Sequence, residues 1–233
     1  MTTADIINIL HKEFYIDWEW VKKEMSEKEG LSGRTSSALS AELDACLYKA
    51  KKLADPGIVY ALKDDVKVSG DSILIDNSIS LKSRKVSSYI KGCDHLAVFV
   101  VTVGKGMETE ASRMMDQKDE LQGYLMDRLG SFAVESLAEN FENILRNKYK
   151  DRNMSVSMRL SPGYCDWPIE EQFKLAKILD LSKIDMELTK NCMMVPKKSI
   201  SGIIGVGKKD LYREKVSQCS MCGLKDCYLR RDS

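Results

Sequence analysis

Apolar residues recur every three to four positions over two long stretches of the chain, a spacing typical of amphipathic helices. The first stretch covers residues 37–53 and stops at Asp55-Pro56-Gly57, where proline and glycine end a helix. The second covers residues 120–149 and predicts one long helix. Shorter helices are expected at 83–91, 107–115 and 169–179.

Between these helices the period changes to that of strands. Residues 58–81 are short apolar runs separated by polar turns, which predicts several strands and at least one hairpin. Residues 95–103 are apolar at almost every position, so we expect a central strand buried on both faces. Further strands are predicted at 154–160 and 199–206.

The order of these elements predicts an α+β fold: a mixed or antiparallel twisted sheet flanked by helices, one of them long. No internal repeat or low-complexity linker divides the chain. We therefore expect one domain over residues 1–215 and a short cysteine-rich tail over residues 216–233.

Composition narrows the classes of function. The 233 residues include 36 Lys and Arg against 35 Asp and Glu, a balance that argues against a nucleic-acid surface. The longest apolar run, residues 96–103, is far short of a bilayer span, and the N-terminus lacks the pattern of a signal peptide. We expect a cytoplasmic protein without a membrane partner, whose seven cysteines are reduced or bind metal.

The tail has the sharpest local motif. Cys219, Cys222 and Cys227 follow a C-x2-C-x4-C spacing, and thiolates this close together can share zinc or an iron–sulfur cluster. Cys165, Cys192 or a small molecule could supply a fourth ligand. The alternative is a tail of thiols that bind no metal.

A second candidate is the segment from Arg159 to Trp167. Arg159 lies near the end of a predicted strand, and its planar guanidinium suits a carboxylate. Pro162-Gly163 would allow the backbone to approach a ligand, and Tyr164 could stack or donate a hydrogen bond. The alternative is a surface arginine before a structural turn.

A third candidate is Glu139, which continues the apolar stripe of the long helix. A carboxylate on such a stripe must be paired, protonated or bound to a cation. A salt bridge to a nearby Arg or Lys would also explain it. Glu135 lies one helical turn earlier.

Several motifs, in order along the chain, resemble the reactivation domain of cobalamin-dependent methionine synthase. They are R-x-x-P-G-Y at 159–164, Y-I-D-W at 15–18, L-A-E-x-F at 137–141 and a set of shorter matches over 188–202. The form of the P-G-Y and P-K-K-S segments is most similar to a free-standing, bacterial version of this domain.

The resemblance implies a role in methionine biosynthesis as a methyltransferase component. Such a domain binds S-adenosylmethionine and caps a cobalamin that is carried elsewhere, so that oxidised cobalamin is reduced and remethylated. Asp17 and Glu139 would hold the ligand ammonium, and Arg159 its carboxylate. Ser161 and Gly163 complete the cofactor-binding set, and the backbone near Gly163 would reach the adenine or ribose. Tyr164, the one residue assigned to catalysis, would lie over the groove and face the corrin.

The resemblance also implies partners. These are a corrinoid-binding methyltransferase or the core of a methionine synthase, together with an electron donor of the flavodoxin or ferredoxin type. One alternative is a non-catalytic accessory protein that binds metal or an iron–sulfur cluster in its tail, docks on a corrinoid protein and relays electrons. A module that only senses S-adenosylmethionine is another.

Overall fold

The protein is described by a computed structural model that covers residues 14–30, 37–212 and 218–223. The helices are α1 (Trp18–Lys28), α2 (Ser37–Leu53), α3 (Arg84–Ile90), α4 (Gly106–Asp116), α5 (Glu120–Lys150), α6 (Gln172–Ala176) and α7 (Gln218–Met221). Two 3-10 turns cover Ile169–Glu171 and Leu181–Ile184.

The strands are β1 (Gly57–Lys63), β2 (Val66–Ser69), β3 (Ser72–Ile75), β4 (Ile79–Lys82), β5 (Cys93–Thr102), β6 (Met154–Val156), β7 (Glu187–Leu188), β8 (Met194–Val195) and β9 (Ser199–Lys208). They form a four-stranded sheet in the order β1-β5-β9-β6, a three-stranded meander β2-β3-β4 and the small pair β7-β8. Every pairing is antiparallel. The α+β class and the long helix are confirmed.

Strand β5 lies at the centre of the main sheet, as its apolar run predicts. Val98 pairs with Ala61 of β1 on one side and with Ile203 of β9 on the other. Alternate residues of β5 enter two separate cores. Ala97, Phe99 and Val101 belong to the core under α5, and Leu96, Val98 and Val100 belong to the core under the meander and α6. Because both faces are covered, the strand shows no alternation of polar and apolar residues.

The long helix α5 is covered by different neighbours along its length. Near its start the helix packs closely on α4, because a Cβ added at Gly123 would lie 2.9 Å from the side chain of Met115 and 3.1 Å from the carbonyl oxygen of Ala111. Further along, the ring of Phe141 lies against Tyr60 of β1 and Phe99 of β5. The helix thus crosses from the α4 side onto the sheet, and this places its second half beside β6 and β9.

Two predicted elements are shorter than their patterns indicate. The strand expected at 154–160 ends at Val156, because the hydroxyl of Ser157 takes the amide of Gly205 that a further ladder bond would use. A single bridge at Leu160 is all that follows. The helix expected at 169–179 ends at Ala176, where the amide of Ile178 bonds the carbonyl of Leu175 and tightens the last turn.

Within these described ranges, no helix combines the length and the apolar character that crossing a bilayer requires. The division between a domain at 1–215 and a tail at 216–233 stays a prediction.

Candidate ligand-binding site

Three glutamates share one face of α5, at positions 135, 139 and 142, because side chains spaced by three or four residues are neighbours on a helix. Glu142 is 6% exposed and Glu135 is partly buried, whereas Glu139 is exposed. The prediction that Glu139 continues the buried stripe is therefore wrong. The buried carboxylate of this face belongs to Glu142.

Arg159 is the counter-ion of this acidic face. Its Nη1 donates to Oε1 of Glu142 at 2.9 Å, and its Nη2 donates to Oε2 of Glu135. The second oxygen of Glu142 accepts from Arg146 at 2.7 Å. Only 17% of the Arg159 side chain is exposed, so its charge is held by these hydrogen-bonded carboxylates rather than by water.

The electrostatics of Arg159 follow from this placement. Burial by itself would lower the pKa of the guanidinium, but the charges of Glu135 and Glu142 outweigh it and raise the pKa above its ordinary value. The charge of Glu139 acts in the same direction on the pKa of Arg159. That Glu139 and Arg159 bind one ligand stays a prediction.

The segment that carries Arg159 is pinned to β9. The amide of Leu160 donates to the carbonyl of Ile203 at 2.9 Å, and the amide of Ile203 donates back at 2.8 Å. Gly202 permits this approach, because a Cβ there would lie 2.4 Å from the carbonyl oxygen of Leu160. The hydroxyl of Ser161, another predicted site residue, is 3.2 Å from the same Cβ position and is buried. Sheet pairing therefore fixes where Arg159 and Ser161 stand.

Asp17, near the N-terminus of the chain, contacts the same helix through its backbone. Its amide donates to the hydroxyl of Ser136 at 2.9 Å, next to Glu135 on α5. Its carboxylate caps α1 by accepting from the amides of Glu19 and Trp20 at 3.1 and 3.0 Å. The capping bonds explain why an aspartate precedes α1, and the bond to Ser136 holds the start of α1 against α5.

Gly163 and Tyr164 form a tight turn after this segment. Gly163 has φ +90°, a conformation that glycine adopts without strain, and its amide donates to the carbonyl of Trp167 at 2.8 Å. The amide of Trp167 donates to the carbonyl of Tyr164 at 3.0 Å. The Tyr164 side chain is 45% exposed, so its ring is accessible at the surface of the turn.

Asp166, which the sequence reading did not single out, holds this turn on α3. Its carboxylate accepts from the hydroxyl of Ser83 at 2.5 Å and from the amides of Arg84 and Lys85. Desolvation raises the pKa of this carboxyl, but the hydrogen bonds from Ser83, Lys85 and Arg84 prevail and lower it. The turn is thereby fixed to the body of the domain.

The cysteine motif is only partly described. Cys219 lies in α7 and Cys222 directly after it, while Cys227 lies outside the described residues. Burial raises the pKa of the Cys165 thiol, and the nearby charges of Cys222 and Cys219 raise it further. No group of three His, Cys, Asp or Glu side chains in the described ranges is arranged to hold a metal ion. Metal binding by the tail is therefore not supported by the structure and stays a prediction.

The acidic face, Arg146 and Arg159 together bear one net negative charge when all five side chains are ionised. Such a site suits a ligand with net positive charge that also carries a carboxylate. Sequence reasoning missed Glu142 and Arg146 as members. Their signal was present: Glu142 is seven residues after Glu135 and Arg146 four residues further, so all three share one face.

The fold and this site define a small α+β domain with a charged, partly buried face on its long helix. The family is shown by a match to a sequence family. The family model for the activation domain of vitamin B12-dependent methionine synthase matches residues 84–231, and the chain belongs to that family. The resemblance read from the sequence is confirmed.

Solved structures agree on the fold. The crystal structure of the MetH reactivation domain bound to AdoHcy superposes with a TM-score of 0.60 at 20% identity, covering 88% of this chain and 81% of that one. A comparison with curated protein sequences found no match. The individual roles of the six predicted ligand-site residues stay predictions.

Proposed function

We propose that this protein binds S-adenosylmethionine and presents its methyl group to cob(I)alamin on a partner corrinoid protein. The observation that carries the proposal is the pairing of Arg159 with the acidic face of α5, in a chain of the activation-domain family. S-adenosylmethionine has a sulfonium, an ammonium and a carboxylate. Its net positive charge complements the net negative charge of the acidic face and its two arginines, to which Asp17 would add a further negative charge.

We propose that different residues bind different parts of the ligand. Asp17 and Glu139, whose side chains are both exposed, would take the ammonium. Arg159 would bind the carboxylate through donors of its guanidinium, of which it has five. The buried Ser161 and the turn at Gly163 would support the adenosine, and the exposed ring of Tyr164 would face the corrin.

The chemistry requires no acid, base or nucleophile from this chain. Cob(I)alamin supplies a strongly nucleophilic metal centre when the partner presents it. The methyl–sulfur bond breaks, its electron pair stays on sulfur, and the methyl group is captured by the electron pair of cobalt, leaving S-adenosylhomocysteine. The contribution of the protein is to hold the methyl group in line for this transfer and to exclude water. The preceding one-electron reduction would come from a flavodoxin- or ferredoxin-type donor.

Isothermal titration calorimetry of the purified protein with S-adenosylmethionine tests the binding step. We expect saturable binding at a single site, and weaker but measurable binding of S-adenosylhomocysteine, which keeps the ammonium and the carboxylate but lacks the sulfonium charge. Adenosine alone is the control and should bind much more weakly, since it lacks both charged groups. Absence of saturable heat with either ligand at millimolar concentration would contradict the proposal.

A second candidate role, electron relay through a metal site in the tail, is favoured by one observation. Cys165, in the turn next to Tyr164, lies within electrostatic reach of Cys219 and Cys222. Lys85 connects the two segments: its amide bonds Asp166, and its ammonium donates to the carbonyl of Met221 at 2.6 Å. Of the two body cysteines that the sequence suggested as a fourth ligand, we therefore propose Cys165 rather than Cys192.

Metal analysis after anaerobic purification tests this second role. We expect about one metal centre per chain, lost in Cys222→Ser and Cys165→Ser but retained in the matched control Cys192→Ser. A visible absorption band would indicate an iron–sulfur cluster, and a colourless protein with stoichiometric zinc would leave only a structural role. Protein without metal would overturn the second role and leave the first unaffected.

A further inference from the structure

The segment before α1 presents an aromatic ring to solvent. Phe14 and Ile16 are each 7% exposed and belong to the core under α5, whereas Tyr15 between them is 56% exposed. This alternation is that of extended backbone, whose successive side chains point to opposite sides. The ring of Tyr15 therefore lies on the side of the segment that faces away from the core.

Two backbone hydrogen bonds fix this segment on α5. The amide of Tyr15 donates to Oδ1 of Asn140 at 3.3 Å, and the amide of Asp17 donates to the hydroxyl of Ser136 at 2.9 Å. Because Ser136 and Asn140 are four residues apart, the segment follows about one turn of the helix. Tyr15 is thereby fixed beside the turn of α5 that carries the exposed Glu139.

Helix geometry places Glu139 between this segment and Arg159. At about 100° per residue, Asn140 lies about 40° from Ser136 on one side, and Glu139 lies about 60° from it on the other. The two glutamates that Arg159 contacts lie further round in the direction of Glu139, at about 100° and 120° from Ser136. The proposed ligand site on Glu139 thus has Arg159 along one side and the segment with Tyr15 along the other.

The sulfonium is the one charged group of the ligand to which the proposed site assigns no residue. It has only carbon substituents and no N–H or O–H, so it cannot donate a conventional hydrogen bond. Cations of this kind are bound by the faces of aromatic rings, as quaternary ammonium ligands are. Tyr15 offers an exposed ring beside Glu139, which is proposed to take the ammonium of the same ligand.

We infer that the ring of Tyr15 binds the sulfonium of S-adenosylmethionine by a cation–π interaction and makes the site prefer this ligand to S-adenosylhomocysteine. The inference rests on the proposed function, because it concerns the same ligand. Transfer of the methyl group leaves a neutral thioether, so the attraction between ring and sulfur falls when the reaction is complete. The spent ligand is therefore released more readily than the methyl donor.

The test compares Tyr15→Leu with Tyr15→Phe. Calorimetry with S-adenosylmethionine should show a Kd about three- to tenfold higher for Tyr15→Leu, the range of a cation–π contact at a partly exposed site. The Kd for S-adenosylhomocysteine should change much less, because this ligand has no charge at sulfur. Tyr15→Phe keeps the ring and should restore most of the lost affinity. Thermal unfolding establishes that each variant is folded.

Tyr48→Leu is the matched control. Tyr48 lies in α2, is 63% exposed and has the ammonium of Lys52 over its ring at 4.1 Å. It is not assigned to the ligand, so its replacement should leave the affinity for both ligands unchanged.

Phenylalanine analogues with increasing numbers of ring fluorines at position 15 supply a second readout. Fluorine withdraws negative charge from the ring face and changes the size of the ring little. The Kd for S-adenosylmethionine should rise with each added fluorine, and the Kd for S-adenosylhomocysteine should not.

Three results would overturn the inference: an unchanged Kd for S-adenosylmethionine in Tyr15→Leu, an equal loss with both ligands, or no dependence on fluorine. Failure of the wild-type protein to bind S-adenosylmethionine would instead overturn the proposed function.

Discussion

We expect Arg159→Gln to weaken the binding of S-adenosylmethionine by about 30- to 100-fold in calorimetry, the loss that follows when charge-assisted hydrogen bonds to a carboxylate are removed. Glutamine keeps part of the side-chain volume but has neither the positive charge nor the fork of donors. The variant also leaves the buried Glu142 with Arg146 as its remaining arginine, which costs about 3 kcal/mol of unfolding free energy.

The control for this prediction is Arg146→Gln. Arg146 also contacts Glu142, but its side chain is 42% exposed, so its loss should lower stability less. Arg146 contributes to the charge of the site but is not assigned a contact with the ligand, so affinity should change much less than in Arg159→Gln. Equal losses of affinity in both variants would show that Arg159 acts by maintaining the acidic face and not by binding the carboxylate. Arg159→Lys, which keeps the charge without the fork, should give an intermediate affinity.

The sequence predicts the frame of the fold well because burial there leaves a simple pattern. Residues 95–103 are apolar throughout, and β5 is indeed covered on both faces. The helix expected at 120–149 is α5, which ends at Lys150. The predictions fail where a side chain takes the place of a backbone hydrogen-bond acceptor, as the hydroxyl of Ser157 does after β6. Hydrophobic periodicity does not indicate where this happens.

The sequence identifies several residues of the site but does not predict how they are arranged. The motif containing Arg159 and Glu139 locates the correct helix and the correct strand end, but the apolar stripe assigns the buried position to Glu139 instead of Glu142. The buried face of α5 rotates along the helix, because α4 covers its start and the sheet covers its end at Phe141. A stripe extrapolated from Leu125 cannot include that rotation. The contact with Glu135 depends on tertiary placement of Arg159 and has no local signal.

The turn after Arg159 is likewise predictable from local sequence, whereas the contact that anchors it is not. The Pro-Gly-Tyr sequence predicts a turn, and Gly163 has the positive φ that such a turn requires. The anchor of that turn is Asp166, which caps a helix 82 residues earlier in the chain at Arg84. A cap between distant segments depends on how they meet in three dimensions, so the sequence alone does not identify it.

The central claim is that this chain delivers the methyl group of S-adenosylmethionine to cobalamin on a partner. Its most direct test is an anaerobic incubation of a corrinoid methyltransferase in the cob(II) state with a low-potential chemical reductant and S-adenosylmethionine labelled in the methyl group. Label in methylcobalamin is measured with and without this protein. We predict stoichiometric labelling of the cobalamin when the protein is present, little without it, and a large loss with Arg159→Gln. Equal labelling with and without the protein, for methionine synthase cores and other corrinoid partners alike, would contradict the account.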